Sequence, residues 1–302
     1  MQQNASSSPS SSSSQPPPTY LAETNPHPRD NKITFEEGPH IYTIEGHEEI
    51  KFTSVTTWVH SYFKKFDAKK VIEGMMRNKR KWEDPIANAK YYGKTADEIE
   101  EMWKIAGTEA SAKGTAMHYE IECFYNTHPH APPASTPATS TEIEYFLKFN
   151  QEFAESLKPY RTEWMVFHEE AQIAGSIDMV YENVPPAAPP AAPPAAPPAT
   201  TYSIYDWKRC KEITKTSSFG EFAKNPIIEH LPDTNYWHYA LQLNIYKYIL
   251  TAKYKKTITD LYLIVIHPEA KNKSYQRIKL PDLQAEVEEL FCERIEKTSK
   301  TK

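Results

Sequence analysis

Three strand-like runs follow one another with no helix among them: "RTEWMVFHEE" from residue 161, "QIAGSIDMVYE" from 172 and "TYSIYDWKR" from 201. Between the last two lies "VPPAAPPAAPPAAPPAT", 184–200, whose prolines favour extended polyproline II and donate little to a sheet. Set aside as a loop insertion, it leaves those two runs as an antiparallel hairpin. A long amphipathic helix, "YWHYALQLNIYKYILTAKY", comes next, followed by the strand "DLYLIVIHP", the short strand "SYQRIKL" and a closing helix over about 282–297. A chain that orders its elements as helix, three strands, helix and strand folds as α/β or α+β, with helices flanking a central mixed sheet.

The segment ahead of these strands reads as helical. "HIYTIEGHEEIKF" alternates around a Gly-containing turn and predicts a hairpin over 40–53. Helices are expected at 54–63, 68–80, 96–106 and 110–126, the third opened by Thr95 with Glu98 at capping-box spacing. A further helix starts at Thr141, with Glu144 at the same spacing. Residues 1–30 combine Ser and Pro with almost no large apolar side chains, so they are expected to be a disordered tail. The rest, 31–302, is expected to form one domain carrying Pro-rich loop insertions at 128–140 and 184–200.

Within "YSIYDWK", Asp206 and Lys208 share one strand face with Tyr202 and Ile204, while Trp207 points the other way. Two charges side by side in an apolar run are costly unless paired or bound to something. Asp178 lies in the preceding strand, and a hairpin can set two such carboxylates about 5 Å apart at the Cβ atoms. They then repel unless one is protonated or a divalent cation sits between them. Hard oxygen donors suit Mg²⁺, with Mn²⁺ as an alternative, and Lys208 on the same face would organise a water beside it.

The net charge of −5 and pI near 6.1 give no global case for nucleic acid, so such a partner needs a local patch. The stretch 64–82 supplies one, with eight Lys or Arg against Asp67 and Glu73 and with Phe63, Phe66 and Trp82 nearby to stack on bases. A solvated helix face is the alternative reading of the same residues. No apolar run reaches the 18 or so residues of a membrane span and the N-terminus is polar, which predicts a soluble intracellular protein without membrane contact. Cys123, Cys210 and Cys292 lie far apart and suggest neither a disulfide framework nor a zinc site.

Four motifs in order, "GTAMHYEIE" at 114–122, "AGSID" at 174–178, "DWK" at 206–208 and "QLNIY" at 242–246, resemble the PD-(D/E)XK nuclease superfamily. The resemblance is to its RecB-like and phage-exonuclease-like branch, found in recombination enzymes and large DNA viruses, and it spans about residues 38–280. It implies a restriction-endonuclease-like αβββαβ core and a Mg²⁺-dependent DNA nuclease, an exonuclease of recombination, repair or replication. It makes Asp178 and Asp206 metal ligands, His118 a further ligand or neighbour of the metal, and Lys208 the residue that organises the attacking water. Glu122, four residues after His118 on the same helical face, would help hold a water, and Gln242 and Tyr246 would approach the substrate phosphate and the lysine. Glu163 resembles an acidic position upstream of the GxxD strand. Three scattered cysteines cannot supply the four that the iron-sulfur members use, so no cluster is expected. Two other functions stay open: a catalytically silent nucleic-acid-binding relative, and an interaction protein whose Pro-rich segments dock into aromatic grooves.

Overall fold

The computed structural model of the protein describes residues 19–127, 138–185, 199–217 and 220–300. The chain opens with a short helix, α1 (Tyr20–Thr24), and a two-stranded antiparallel ribbon, β1 (Ile33–Glu36) and β2 (Ile41–Ile44). A central mixed sheet follows, built from β3 (Thr53–Ser54), β4 (Leu157–His168), β5 (Ile173–Asn183), β6 (Tyr202–Lys208), β7 (Ile258–Val265) and β8 (Gln276–Lys279). β4, β5 and β6 form an antiparallel meander, β6 and β7 run parallel, and β8 closes the far edge antiparallel to β7. The parallel pair needs a crossover, and the helix α7 (Asn235–Tyr254) supplies it.

Helices cover both faces. On one side, α2 (Val55–Ser61), α7 and α8 (Gln284–Ser299) pack Trp58, Leu241, Ile245 and Phe291 against Ile177, Ile204 and Leu263 of the sheet. On the other side, α5 (Ala96–Thr127) and α6 (Thr141–Phe153) pack Met117, Ile121, Phe146 and Phe149 against Met179, Tyr205 and Trp207. The alternation along β6 sends Trp207 into this second layer, where its ring meets those of Phe146 and Phe149 at 5.6 Å. Asp206 and Lys208 therefore face the α7 layer, as their strand positions require. No helix among the described residues is long and apolar enough to cross a membrane.

Several expectations shift. The hairpin expected over 40–53 does not form: β2 pairs backward with β1, burying Ile33 against Ile44, and Thr53–Ser54 joins the main sheet parallel to Ile173–Ala174. The two helices expected at 96–106 and 110–126 are one, α5, because a single Gly107 with open space around it costs a long helix only about 1 kcal/mol. The capping box at its start is present, with Glu98 Oε2 accepting from the Thr95 amide at 2.6 Å. α6 is capped by Ser140, one residue earlier than Thr141. The remaining two short helices are α3 (Ala68–Arg77) and α4 (Lys79–Trp82).

Packed structure also reaches back ahead of residue 31. Leu21 is buried, and Asp30 accepts from Arg161 Nη1 at 2.6 Å and from Trp164 Nε1 at 2.9 Å. The Ser/Pro-rich stretch 1–18 and most of the two Pro-rich insertions lie outside the described residues. The second insertion joins the paired ends Glu182 and Tyr202, four ladder steps from Asp178 and Asp206.

His168, at the end of β4, gives a pH prediction. Burial, with help from Lys253, lowers its pKa from 6.5 to about 4, and its Nδ1 accepts from the Ala171 amide, as a neutral ring does. The unfolded chain takes up the proton that the folded ring refuses, so stability falls as pH drops from 6.5 toward 4. The loss is up to about 3 kcal/mol. Urea midpoints measured at pH 7.5 and 4.5 should differ less in His168→Gln than in the parent, and equal slopes would contradict this account.

Candidate active site

The site lies where the sheet forks. β4 follows one edge of β5 along its length, whereas the other edge is shared, with β3 pairing at Ile173 and Ala174 and β6 pairing only from Met179 onward. Residues 175–178 of β5 thus face a gap between β3 and β6. One further register step would pair Asp178 with Asp206, but the ladder has ended there. The Trp207 amide instead donates to Asp178 Oδ2 at 2.9 Å.

The next carbonyl orients a histidine. His118, on α5, has Nε2 2.9 Å from Trp207 O. A carbonyl only accepts, so Nε2 carries the hydrogen and Nδ1 is left to face the acids, 3.6 Å from Asp178 Oδ2 and 3.7 Å from Glu163 Oε1. One ligand atom each from His118, Glu163 and Asp178 falls within 4.8 Å of the others, a spacing that a single cation can bridge. Glu163 reaches this position through a left-handed backbone, φ +41, inside β4, and Ser176 Oγ donates to its Oε2 at 2.9 Å. For a residue other than Gly that conformation is strained by about 1 kcal/mol or more.

Asp206 and Lys208 form the second half of the site. Lys208 Nζ is 2.6 Å from Asp206 Oδ2 and 4.8 Å from the centre of the Tyr239 ring. Asp206 is buried, and its Oδ2 has no well-aligned hydrogen bond among the described residues beyond this ionic contact. Burial, reinforced by Asp178, pushes the Asp206 carboxyl up, while Lys208 pulls the other way. For Lys208, burial disfavours the charge, but Asp206 and Asp178 outweigh it and the pKa rises. The amine is therefore protonated at neutral pH and acts as a donor, not a base.

The same fields act on the helix. Burial opposes the charged His118 ring, yet Asp178 and Glu163 raise its pKa to about 9. Glu122, one turn further on α5, is lifted to about 7 by burial and by Glu163, against His118. This crowding of acids is what an added divalent charge would relieve.

Tyr246, on α7, is buried near these acids, and Gln242 is buried one turn before it. Burial and the neighbouring Asp178, Asp206 and Glu163 raise the Tyr246 phenol well above its usual range. Its hydroxyl packs on Gly175 of β5 so closely that a Cβ there would meet Tyr246 Oη at 2.7 Å and Val55 Cγ2 at 3.1 Å. Gly175→Ala should accordingly cost about 1–3 kcal/mol in urea denaturation, by forcing α7 away from β5. An unchanged midpoint would contradict the packing.

Of the residues singled out in the sequence, His118, Glu122, Asp178, Asp206 and Lys208 meet in one place with Tyr246 near them, and Gln242 is buried one turn before Tyr246 on α7. Glu163 lies close enough to His118 and Asp178 to share a cation with them, while Asp206 is in contact with Lys208. The main-chain groups of Trp207 leave no signal in the sequence, because any residue type offers them. No protein-family model and no curated protein matches this chain.

Proposed function

We propose that the protein is a metal-dependent deoxyribonuclease with a restriction-endonuclease-like core, acting as an exonuclease on linear DNA. The observation that carries this reading is the convergence of His118, Glu163 and Asp178 within bridging distance of one another beside the buried Asp206–Lys208 pair. Ordinary surface ion pairs do not gather two acids around one imidazole whose other nitrogen is fixed by a carbonyl. The two carboxylates suit Mg²⁺, and the imidazole is a softer donor that favours Mn²⁺. His118, Glu163 and Asp178 would hold a divalent cation, which when bound would lower the pKa of water and offset phosphate charge.

The chain's own groups do the rest. Lys208, kept protonated by Asp206 and Asp178, donates to an attacking water or to a phosphate oxygen and stabilises charge that grows during attack. Asp206 holds the amine in place at 2.6 Å, and the amide and carbonyl of Trp207 fix Asp178 and His118. Glu122, near neutrality, is suited to exchange a proton with water.

The test is incubation of the purified chain with linear and covalently closed circular duplex DNA, in Mg²⁺, Mn²⁺ or EDTA, alongside Asp178→Asn. Loss of linear DNA alone, blocked by EDTA and by the folded variant, is expected. Activity in EDTA, or equal activity of Asp178→Asn, would overturn the reading.

A further inference from the structure

A groove of about 830 Å³ opens between α3, α4 and the segment leading into α7. Its walls combine Lys65, Lys70 and Lys81 with Phe66, Trp82 and His238. The acids that also line it are already engaged. Glu221 binds Lys64 at 2.6 Å, Asp233 Oδ1 lies 2.9 Å from His238 Nε2, and Asp67 caps α3 by accepting from the Lys70 amide. By contrast, Lys65, Lys70 and Lys81 make no ion pair within 4.0 Å among the described residues. Phe66 is 69% exposed, a large aromatic surface left in water beside three unpaired ammonium groups.

We infer that this groove binds a single-stranded segment of nucleic acid, with phosphates against Lys65, Lys70 and Lys81 and bases against Phe66 and Trp82. Aromatic faces beside a row of cations match a strand whose bases are free to stack, because duplex DNA keeps its bases stacked on each other. Position argues the same way. The groove is floored by His238, and the next residue on α7, Tyr239, carries Lys208 over its ring. A strand leaving the candidate active site along the start of α7 would enter the groove. The inference rests on the proposed hydrolytic site for its choice of nucleic acid over an acidic peptide.

The test uses labelled dT12 and a blunt 20-base-pair duplex, titrated by fluorescence anisotropy in EDTA over a range of salt. The parent should bind dT12 more tightly than the duplex. Lys65→Glu with Lys81→Glu should weaken dT12 at least tenfold and reduce the slope of log K against log salt by about 1–2. Gly74→Leu is the second variant: Gly74 lines the groove with nothing within 4 Å of an added Cβ, so leucine fills the space while improving helix propensity. It should weaken dT12 about tenfold with an equal or higher Tm and an unchanged salt slope. No dT12 binding by the parent, or binding untouched by both variants, overturns the inference. Displacement of dT12 by a Glu/Leu-rich helical peptide that binds more tightly overturns it as well. DNA digestion together with groove-independent dT12 binding would remove the groove and leave the hydrolytic site, and groove-dependent binding without digestion would do the reverse.

Discussion

Lys208→Ala is expected to lower DNA hydrolysis by about 10²–10³-fold, the range found when one preorganised donor to a developing charge is removed. The loss should fall on the rate, with DNA affinity in EDTA nearly unchanged, because the amine is buried against Asp206 and makes its main contribution as charge grows. The variant also removes the partner of a carboxylate that is 2% exposed. A buried acid without its cation is destabilising, so the thermal transition should drop too. Lys208→Met, which keeps the stem length, separates the effects: it should recover packing around Tyr239 and recover no activity. Hydrolysis by Lys208→Met within tenfold of the parent would remove the amine from the chemistry.

Trp207→Ala should destabilise the protein by about 3–5 kcal/mol in urea denaturation. The ring is 1% exposed and fills the layer between β6 and α6, against Phe146 and Phe149. The effect should reach the site as well. The Trp207 amide and carbonyl hold Asp178 and His118, and both depend on the position of this residue's backbone, which the ring anchors. Trp207→Phe should restore most of the stability and most of the activity. A loss below about 1 kcal/mol for Trp207→Ala would show that the ring does not anchor the strand.

The contrast between Trp207 and its neighbours explains what could be read from the sequence. Alternation along "YSIYDWK" placed the acid and the amine on one face, and the structure keeps them there because side-chain period follows from backbone geometry alone. The three-strand meander and the crossover helix were legible for the same reason: long periodic runs report burial directly. The ribbon at residues 33–44 was not, since alternation marks a strand without naming its partner, and Ile33 competes with the nearer residues 50–52 to pair with β2. Glu163 was marked in the sequence only by its resemblance to an acidic position upstream of the GxxD strand; its place beside His118 and Asp178 depends on a left-handed residue within an otherwise regular strand. Spacing put Asp178 and Asp206 opposite each other, but the ladder ends one step short, and Lys208 engages Asp206 first.

The proposed hydrolysis requires His118, Glu163 and Asp178 to hold a divalent cation together. Pulsed electron paramagnetic resonance of Mn²⁺ added to the full chain without DNA tests it directly. The expected spectrum shows one class of bound Mn²⁺ with ¹⁴N modulation from an imidazole, the modulation vanishing in His118→Gln and the bound signal vanishing in Asp178→Asn. Mn²⁺ that stays free at millimolar protein, or binds without a nitrogen neighbour and indifferently to both substitutions, would contradict the claim.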